Sequence, residues 1–228
     1  MMFMPRIARS VAVDYPHHVT QRGNNRSTIF FDDEDHWFYI NTLKRYSQKY
    51  KLEIWAYCLM GNHVHLLVVP KEDNSLARGI GLTNMVYTQY LNRRLGNSGR
   101  VWQNRFFSCA VEKETYLWSV ARYIERNPVK AGILEKAEEY RWSSARAHLL
   151  NRTDQLLSGE QWLDEATRND YKAFIEEDSE EEEKVIRQRT SSGRPLGGDE
   201  FICLLESRYG YRLKVGKKGR PKKEIEGK

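Results

Sequence analysis

One apolar run headed by two histidines decides how the chain folds: Gly61-Asn62-His63-Val64-His65-Leu66-Leu67-Val68-Val69-Pro70. Side chains two apart in an extended chain point to the same face of a sheet, so His63 and His65 stand side by side. Two imidazoles on one rigid strand can offer a divalent cation two nitrogen ligands. Such a pair more often consists of ordinary polar side chains on a half-solvated face, and the strand alone favours that interpretation.

The histidine strand is the second strand of a predicted hairpin. Residues 52–59 are rich in β-forming side chains, and Gly61 and Asn62 suit a tight turn. Pro70 ends the pairing because proline has no N–H to donate. The hairpin therefore presents the histidine pair at its turn end.

Helix and strand signals continue on both sides of the hairpin. Asp32 or Asp33 caps a predicted helix, and Ser75 precedes a longer one that ends near Gly96. The other predicted elements are strands at residues 17–22 and 108–111 and a helix at residues 113–127. The order strand, helix, strand, strand, helix, strand, helix predicts an α+β fold, a ferredoxin-like antiparallel sheet with helices packed on it.

Composition and charge narrow the class of protein. The chain has 228 residues, 40% of them hydrophobic, and its 37 lysines and arginines against 31 acidic residues give a net charge of +6. Such a basic surface suits a polyanion such as nucleic acid. The three cysteines, Cys58, Cys109 and Cys203, are far apart and predict neither a disulfide framework nor a zinc site.

We expect three parts along the chain: a main domain at residues 1–150, a helical and linker extension at 151–213, and a basic, disordered DNA-binding tail at 214–228. The acidic run at residues 176–183 is predicted to be a solvated helix face or linker. Around Gly219-Arg220-Pro221 the tail is similar to a minor-groove-binding AT-hook, with a plain solubilising tail as the alternative. No signal peptide or membrane-spanning run is present in the sequence, which predicts a cytoplasmic, nucleoid-associated protein without a membrane partner.

The helix at residues 113–127 carries Tyr123 and Asn127 on one stripe, displaced from the centre of its apolar face. If that stripe faces the hairpin, His63, His65 and Asn127 can supply three ligands to one metal ion, with Tyr123 beside it. Each residue also has a simpler interpretation. Asn127 can merely start the next helical turn before Pro128, and Tyr123 can be a core residue with a solvated hydroxyl.

Basic and amide side chains recur in the predicted loops and on one exposed helix face, where they can contact a DNA backbone. For each arginine, an ordinary solvated surface charge is the safer interpretation. Trp102 and Phe106, which alternate with a cation, can stack on bases, but their assignment to the core is favoured. The candidate DNA-binding residues are Arg22, Asn24, Arg26, Arg93, Arg94, Arg100, Arg105 and Arg220.

Three ordered motifs resemble the single-tyrosine HUH transposases, and most closely the REP-associated tyrosine transposases, named for repetitive extragenic palindromes. The motifs are Gly61-Asn62-His63-Val64-His65, Trp102-Gln103-Asn104-Arg105-Phe106, and Tyr123-Ile124-Glu125-Arg126-Asn127-Pro128-Val129-Lys130-Ala131-Gly132. The resemblance covers residues 5–149 and implies an HUH nuclease fold. It further implies that Tyr123 is the catalytic nucleophile, that His63 and His65 are metal ligands, and that Asn127 occupies a third-ligand position where relatives often have glutamine.

The resemblance also implies an activity and its partners. The expected enzyme is a transposase that cleaves single-stranded DNA at REP-type hairpins through a 5′-phosphotyrosine intermediate, uses Mg²⁺ or Mn²⁺, and is a monomer or a homodimer. Tyr116 is the rival nucleophile, but Val120, four residues after it, cannot bind metal. The alternative function is a non-catalytic DNA-binding protein that occupies palindromic repeats. Replication initiators and relaxases share the histidine chemistry, but the motif order favours the transposases.

Overall fold

The computed structural model describes residues 11–158, 162–210 and 213. The strands are β1 (His17–Arg22), β2 (Leu52–Met60), β3 (His63–Pro70) and β4 (Phe107–Ala110). The helices are α1 (Asp33–Lys49), α2 (Ser75–Leu95), α3 (Lys113–Glu125), α4 (Asn127–Lys130), α5 (Ala145–Leu150), α6 (Glu165–Glu176), α7 (Glu180–Ser192) and α8 (Asp199–Tyr209). Within this part of the chain, no helix is both long and apolar enough to cross a membrane.

The four strands form one antiparallel sheet in the order β2-β3-β1-β4. β1 lies between β3 and β4, so the first strand of the chain pairs with the histidine strand along its whole length. With α1 and α2 as connections, this arrangement confirms the predicted α+β, ferredoxin-like fold.

Both faces of the sheet are covered. Successive strand residues point to opposite faces, so β3 contributes Leu66 and Val68 to the core beneath α1 and α2, and Leu67 and Val69 to the core beneath α3. Burial on both faces explains why β3 continues as an unbroken apolar run after His65. The histidines therefore lie on the face that α3 covers.

The end of α3 differs from the prediction because of Pro128. The helix ends at Glu125, and Asn127 begins α4. Proline cannot donate the N–H that would continue the ladder, and the Asn127 side chain covers the exposed carbonyls instead. Its Nδ2 donates to the oxygens of Tyr123 (2.6 Å) and Ile124 (3.3 Å).

The extension after residue 150 packs against the sheet. Tyr171 and Ile175 of α6, Ile186 of α7 and Leu196 belong to the same buried cluster as the apolar residues of α3. Leu196 also forms a parallel bridge with Val111, just beyond β4, which begins and ends one residue earlier than predicted. The predicted division at residue 150 stays a prediction, and the AT-hook-like segment lies outside the described residues.

Candidate active site

β3 places both histidines on one face, as predicted. The ring centroids of His63 and His65 are 5.1 Å apart at an interplanar angle of 84°. On the neighbouring strand, Arg22 pairs with His63 and Thr20 with His65. His65 is buried and His63 is half-buried, so the pair runs from the core outward along the strand to the turn end of the hairpin.

α3 brings Tyr123 against this pair. The edge of its ring contacts His65, with ring centroids 5.4 Å apart and an interplanar angle of 84°. Tyr116 packs on the same apolar cluster, but among the described residues its ring contacts neither histidine. The position of the α3 stripe therefore favours Tyr123 over Tyr116 as the residue that shares a site with the histidines.

Asn127 begins α4, and its amide also lies close enough to His63 to raise the pKa of that ring. Its Nδ2 donates to the carbonyls of Tyr123 and Ile124, which leaves the amide oxygen as its remaining polar atom. The proline-induced break in the helix thus orients the amide toward the hairpin.

Burial keeps both rings neutral. Burial first, and then the charge of Arg22, lower the pKa of His63 to about 4 despite the opposing effect of Asn127. The pKa of His65 lies well below its usual value, mainly because of burial and then because of neighbouring histidines and arginines. At neutral pH each ring therefore has one nitrogen with an available lone pair.

On His63, hydrogen bonds identify the ring nitrogen that has the available lone pair. Asn62 Nδ2 donates to the Arg26 carbonyl (3.1 Å), which turns Asn62 Oδ1 toward His63 Nδ1 at 2.6 Å. An amide oxygen only accepts, so Nδ1 carries the proton and Nε2 carries the lone pair.

The donor set suits a divalent cation. Two neutral imidazoles and one amide oxygen meet here, and nitrogen and oxygen ligands are compatible with Mn²⁺ at least as well as with Mg²⁺. Within residues 11–158, 162–210 and 213, no group of three or more histidine, cysteine and carboxylate side chains is arranged to hold a metal. A third protein ligand at this site therefore depends on the amide of Asn127.

Sequence reasoning missed three residues beside this site. The ring of His18 on β1 lies nearly parallel to that of His65 (ring centroids 5.2 Å apart, interplanar angle 13°) and contacts Tyr123 edge-on (5.5 Å). Thr190 of α7 lies 2.7 Å from His18, and the charge of exposed Arg187 contributes to the lowered pKa of His65. Period-two alternation puts His18 on one face of its strand, but only the pairing of β1 with β3 shows that His65 shares that face.

Most of the acidic run at residues 176–183 is exposed, as expected for a solvated helix face, but part of it is paired. Its carboxylates pair with cations of α3 and α4: Glu182 accepts from Arg122 (2.6 Å), and Lys130 pairs with Asp178 and with Glu183 (3.2 Å). Arg122 is itself only 5% exposed. These contacts hold α7 against the helix that carries Tyr123.

The proposed DNA-contacting residues fall into several groups. Arg22, Arg26, Arg93, Arg100 and Arg105 are exposed, Asn24 is half-buried, and Arg220 lies outside the described residues. Arg94 instead forms ion pairs with Asp32 and with the buried Asp35. Trp102 and Phe106 belong to the core, as favoured from the sequence.

Acid should destabilise the metal-free protein through these buried rings. Burial lowers the pKa of His18 from 6.5 to about 3, so below pH 6.5 the unfolded chain binds a proton that the folded ring does not. The contribution of His18 to the free energy of unfolding is fully present above pH 6.5. It is lost as the pH falls, by about 1.4 kcal/mol per pH unit, which amounts to about 2 kcal/mol at pH 5. Urea unfolding with a chelator at pH 7 and pH 5 measures the difference. His18→Phe should reduce that difference by about 2 kcal/mol, and an unchanged difference would contradict the assignment.

Known proteins share this fold and sequence pattern. The family model described as "Transposase IS200 like" matches residues 12–127, just over half of the chain. A Haemophilus influenzae protein named as a REP-associated tyrosine transposase is 29% identical over 111 residues, covering 44% of this chain and 63% of that protein. The chain therefore spans less than two thirds of that relative's length.

A solved structure shows the same fold. It is a REP-associated tyrosine transposase bound to a REP hairpin, and it aligns with a TM-score of 0.53 at 18% identity over 72% of this chain and 96% of that one. The family match covers β1 to β4 and α3, and it reaches Asn127, so it includes the histidine pair and the tyrosine helix. The chain belongs to the IS200-like transposase family.

Proposed function

We propose that the protein is a metal-dependent single-stranded DNA endonuclease and strand-transferase that acts at REP-type palindromic hairpins. The observation that carries this proposal is the placement of Tyr123 against His65, 5.4 Å between ring centroids, with the amide of Asn127 close enough to His63 to raise the pKa of that ring. A nucleophile and three neutral donors for a cation thus converge at one end of the hairpin. Membership of the IS200-like transposase family supports the same function.

The proposed reaction begins with Tyr123. Its phenolic oxygen attacks the scissile phosphorus in line, loses its proton, and forms a 5′-phosphotyrosine bond. The bond from phosphorus to the 3′-oxygen breaks, and that oxygen takes up a proton to leave a free 3′-hydroxyl. The covalent intermediate conserves the bond energy, so a 3′-hydroxyl of the same or another strand can reverse the step without a nucleotide cofactor.

His63, His65 and Asn127 would hold the cation, which we propose to be Mg²⁺ or Mn²⁺. When bound, such a cation polarises and orients the scissile phosphate. All three proposed ligands are neutral, so they leave the full positive charge of the ion to act on the phosphate. Exposed Arg22, which pairs with His63 across the sheet, and exposed Arg187 add positive charge near the site, and both lower the pKa of His65.

The single strand would approach along the loop that follows α2. Gly23 bridges to Trp102, and Gln103 N donates to Arg22 O (2.8 Å), which joins this loop to the strand end opposite His63. A cavity of about 470 Å³ lies beside it, lined in part by Arg100, Asn104 and Arg105. Arg100 and Arg105 can contact successive phosphates of the DNA backbone. Arg94 is already paired with carboxylates and is not part of the proposed surface.

A covalent adduct tests this function. We expect the full-length protein, incubated with Mn²⁺ and an oligonucleotide that carries a palindromic hairpin with single-stranded flanks, to give a protein-DNA band that survives a denaturing gel. Chelator, or a fully duplex oligonucleotide of the same sequence, should remove that band. Binding of the hairpin without any adduct would instead support a non-catalytic repeat-binding protein and contradict the proposed reaction.

A further inference from the structure

A hydrogen-bonded relay connects the extension to the histidine pair. His65 Nδ1 lies 3.0 Å from His18 Nε2, and His18 Nδ1 lies 2.7 Å from Thr190 Oγ1. All three side chains are at most 5% exposed. His18 and Thr190 are 172 residues apart, and Thr190 lies outside the matched residues 12–127.

The direction of each bond follows from the Thr190 hydroxyl. Its single proton is donated to the carbonyl of Ile186 at 2.8 Å, so Oγ1 is an acceptor toward His18. The Cys109 thiol, 3.3 Å away, can donate to the same oxygen. His18 Nδ1 therefore carries a proton and donates it to Thr190, which leaves His18 Nε2 as an acceptor in the neutral ring.

The hydrogen bonds of His18 then determine which ring nitrogen of His65 carries the proton. Because His18 Nε2 accepts, His65 Nδ1 must be the donor in their shared bond, and His65 Nε2 keeps the lone pair. This is the same tautomer that Asn62 imposes on His63. In metalloproteins, a partner on the second ring nitrogen commonly sets the tautomer and orientation of a histidine ligand.

We propose that His18 and Thr190 are positioning residues that hold His65 in the tautomer with a free Nε2, so that the C-terminal extension completes the cation site. This inference rests on the proposed function of His65 as a ligand. The ion pairs of α7 with Arg122 and Lys130 keep Thr190 in place on the sheet. The extension thereby contributes to a site whose ligands all come from the family-matched region.

Nitrogen-15 NMR of the full-length, metal-free protein tests the relay directly. In the wild type, His65 should be protonated at Nδ1 and unprotonated at Nε2. Thr190→Val removes the acceptor, so His18 can exchange tautomers and shift the proton of His65 to Nε2. Thr190→Ser should restore the wild-type pattern. Thr83→Val is the matched control, because Thr83 is also buried and donates to the carbonyl four residues earlier, at 2.6 Å, without a histidine partner.

Calorimetric titration with Mn²⁺ gives the second measurement. Thr190→Val should weaken binding by about 10- to 100-fold, whereas Thr190→Ser and Thr83→Val should remain near the wild type. A wild-type His65 protonated at Nε2, or a Thr190→Val protein with unchanged tautomer and unchanged affinity, would overturn the relay. A wild-type protein that binds no Mn²⁺ contradicts the proposed metal-dependent function instead, and the metal-free NMR spectrum still decides the relay.

Discussion

Replacing Tyr123 with phenylalanine should abolish DNA cleavage and the covalent adduct while hairpin binding persists. The substitution removes only the phenolic oxygen, and the ring keeps its edge contacts with His65 and His18. Without a nucleophile, the cleavage rate should fall by at least about 10⁴-fold. A denaturing gel with Mn²⁺ and a hairpin oligonucleotide reports the adduct, and a native gel reports binding.

Tyr116→Phe provides the matched control on the same helix. Tyr116 packs on the cluster around α3, so this substitution should leave the adduct near the wild-type level. If Tyr123→Phe still forms the adduct and Tyr116→Phe does not, the nucleophile has been assigned to the wrong tyrosine. Loss of activity in both variants would require thermal unfolding measurements, because only a folded Tyr116→Phe protein serves as a control.

The second large effect is expected for His63→Ala, which should lose metal-dependent cleavage. The half-buried ring lies beside the turn of the hairpin, where a shorter side chain disturbs little packing. Loss of a partner outside the ligand set already weakens metal binding by about 10- to 100-fold. Loss of a ligand should therefore reduce affinity by at least about 100-fold. Calorimetry with Mn²⁺ and cleavage assays over a range of Mn²⁺ concentrations measure both quantities.

Hairpin binding in the presence of chelator is the internal control for His63→Ala. If the proposed arginine surface binds DNA independently of the cation, that binding should be unchanged from the wild type. Cleavage that remains metal-dependent with wild-type Mn²⁺ affinity would remove His63 from the ligand set.

Local patterns predicted the framework of the fold well. Strand period, turn residues and proline placed β1 at its observed bounds and brought the histidines to the turn end of the hairpin. The helix cap at Asp32 was also predictable, and its side chain accepts from Asp35 N at 3.1 Å. These features depend on neighbours within a few residues, which is why sequence shows them.

Features that depend on charge and distant contacts were harder to predict. A run of acidic residues is usually solvated, yet here Glu182 and Glu183 pair with Arg122 and Lys130. Nothing in the local pattern of residues 176–183 indicates that α7 will pack beside α3. The DNA-binding assignments of the arginines stay predictions for the same reason, except that Arg94 is already engaged by two carboxylates.

Strand and helix periods are local properties of the chain, so they predict that His63 and His65 share one face of a strand and that Tyr123 and Asn127 share one stripe of a helix. Whether these two surfaces meet depends on the packing of α3 against the sheet, which local periods do not show. The tertiary structure decided that His18 and Thr190 lie behind His65, since strand order and the packing of α7 arise from burial of residues far apart in sequence. The proposed tautomer of His65, on which its proposed role as a metal ligand rests, depends on those distant contacts.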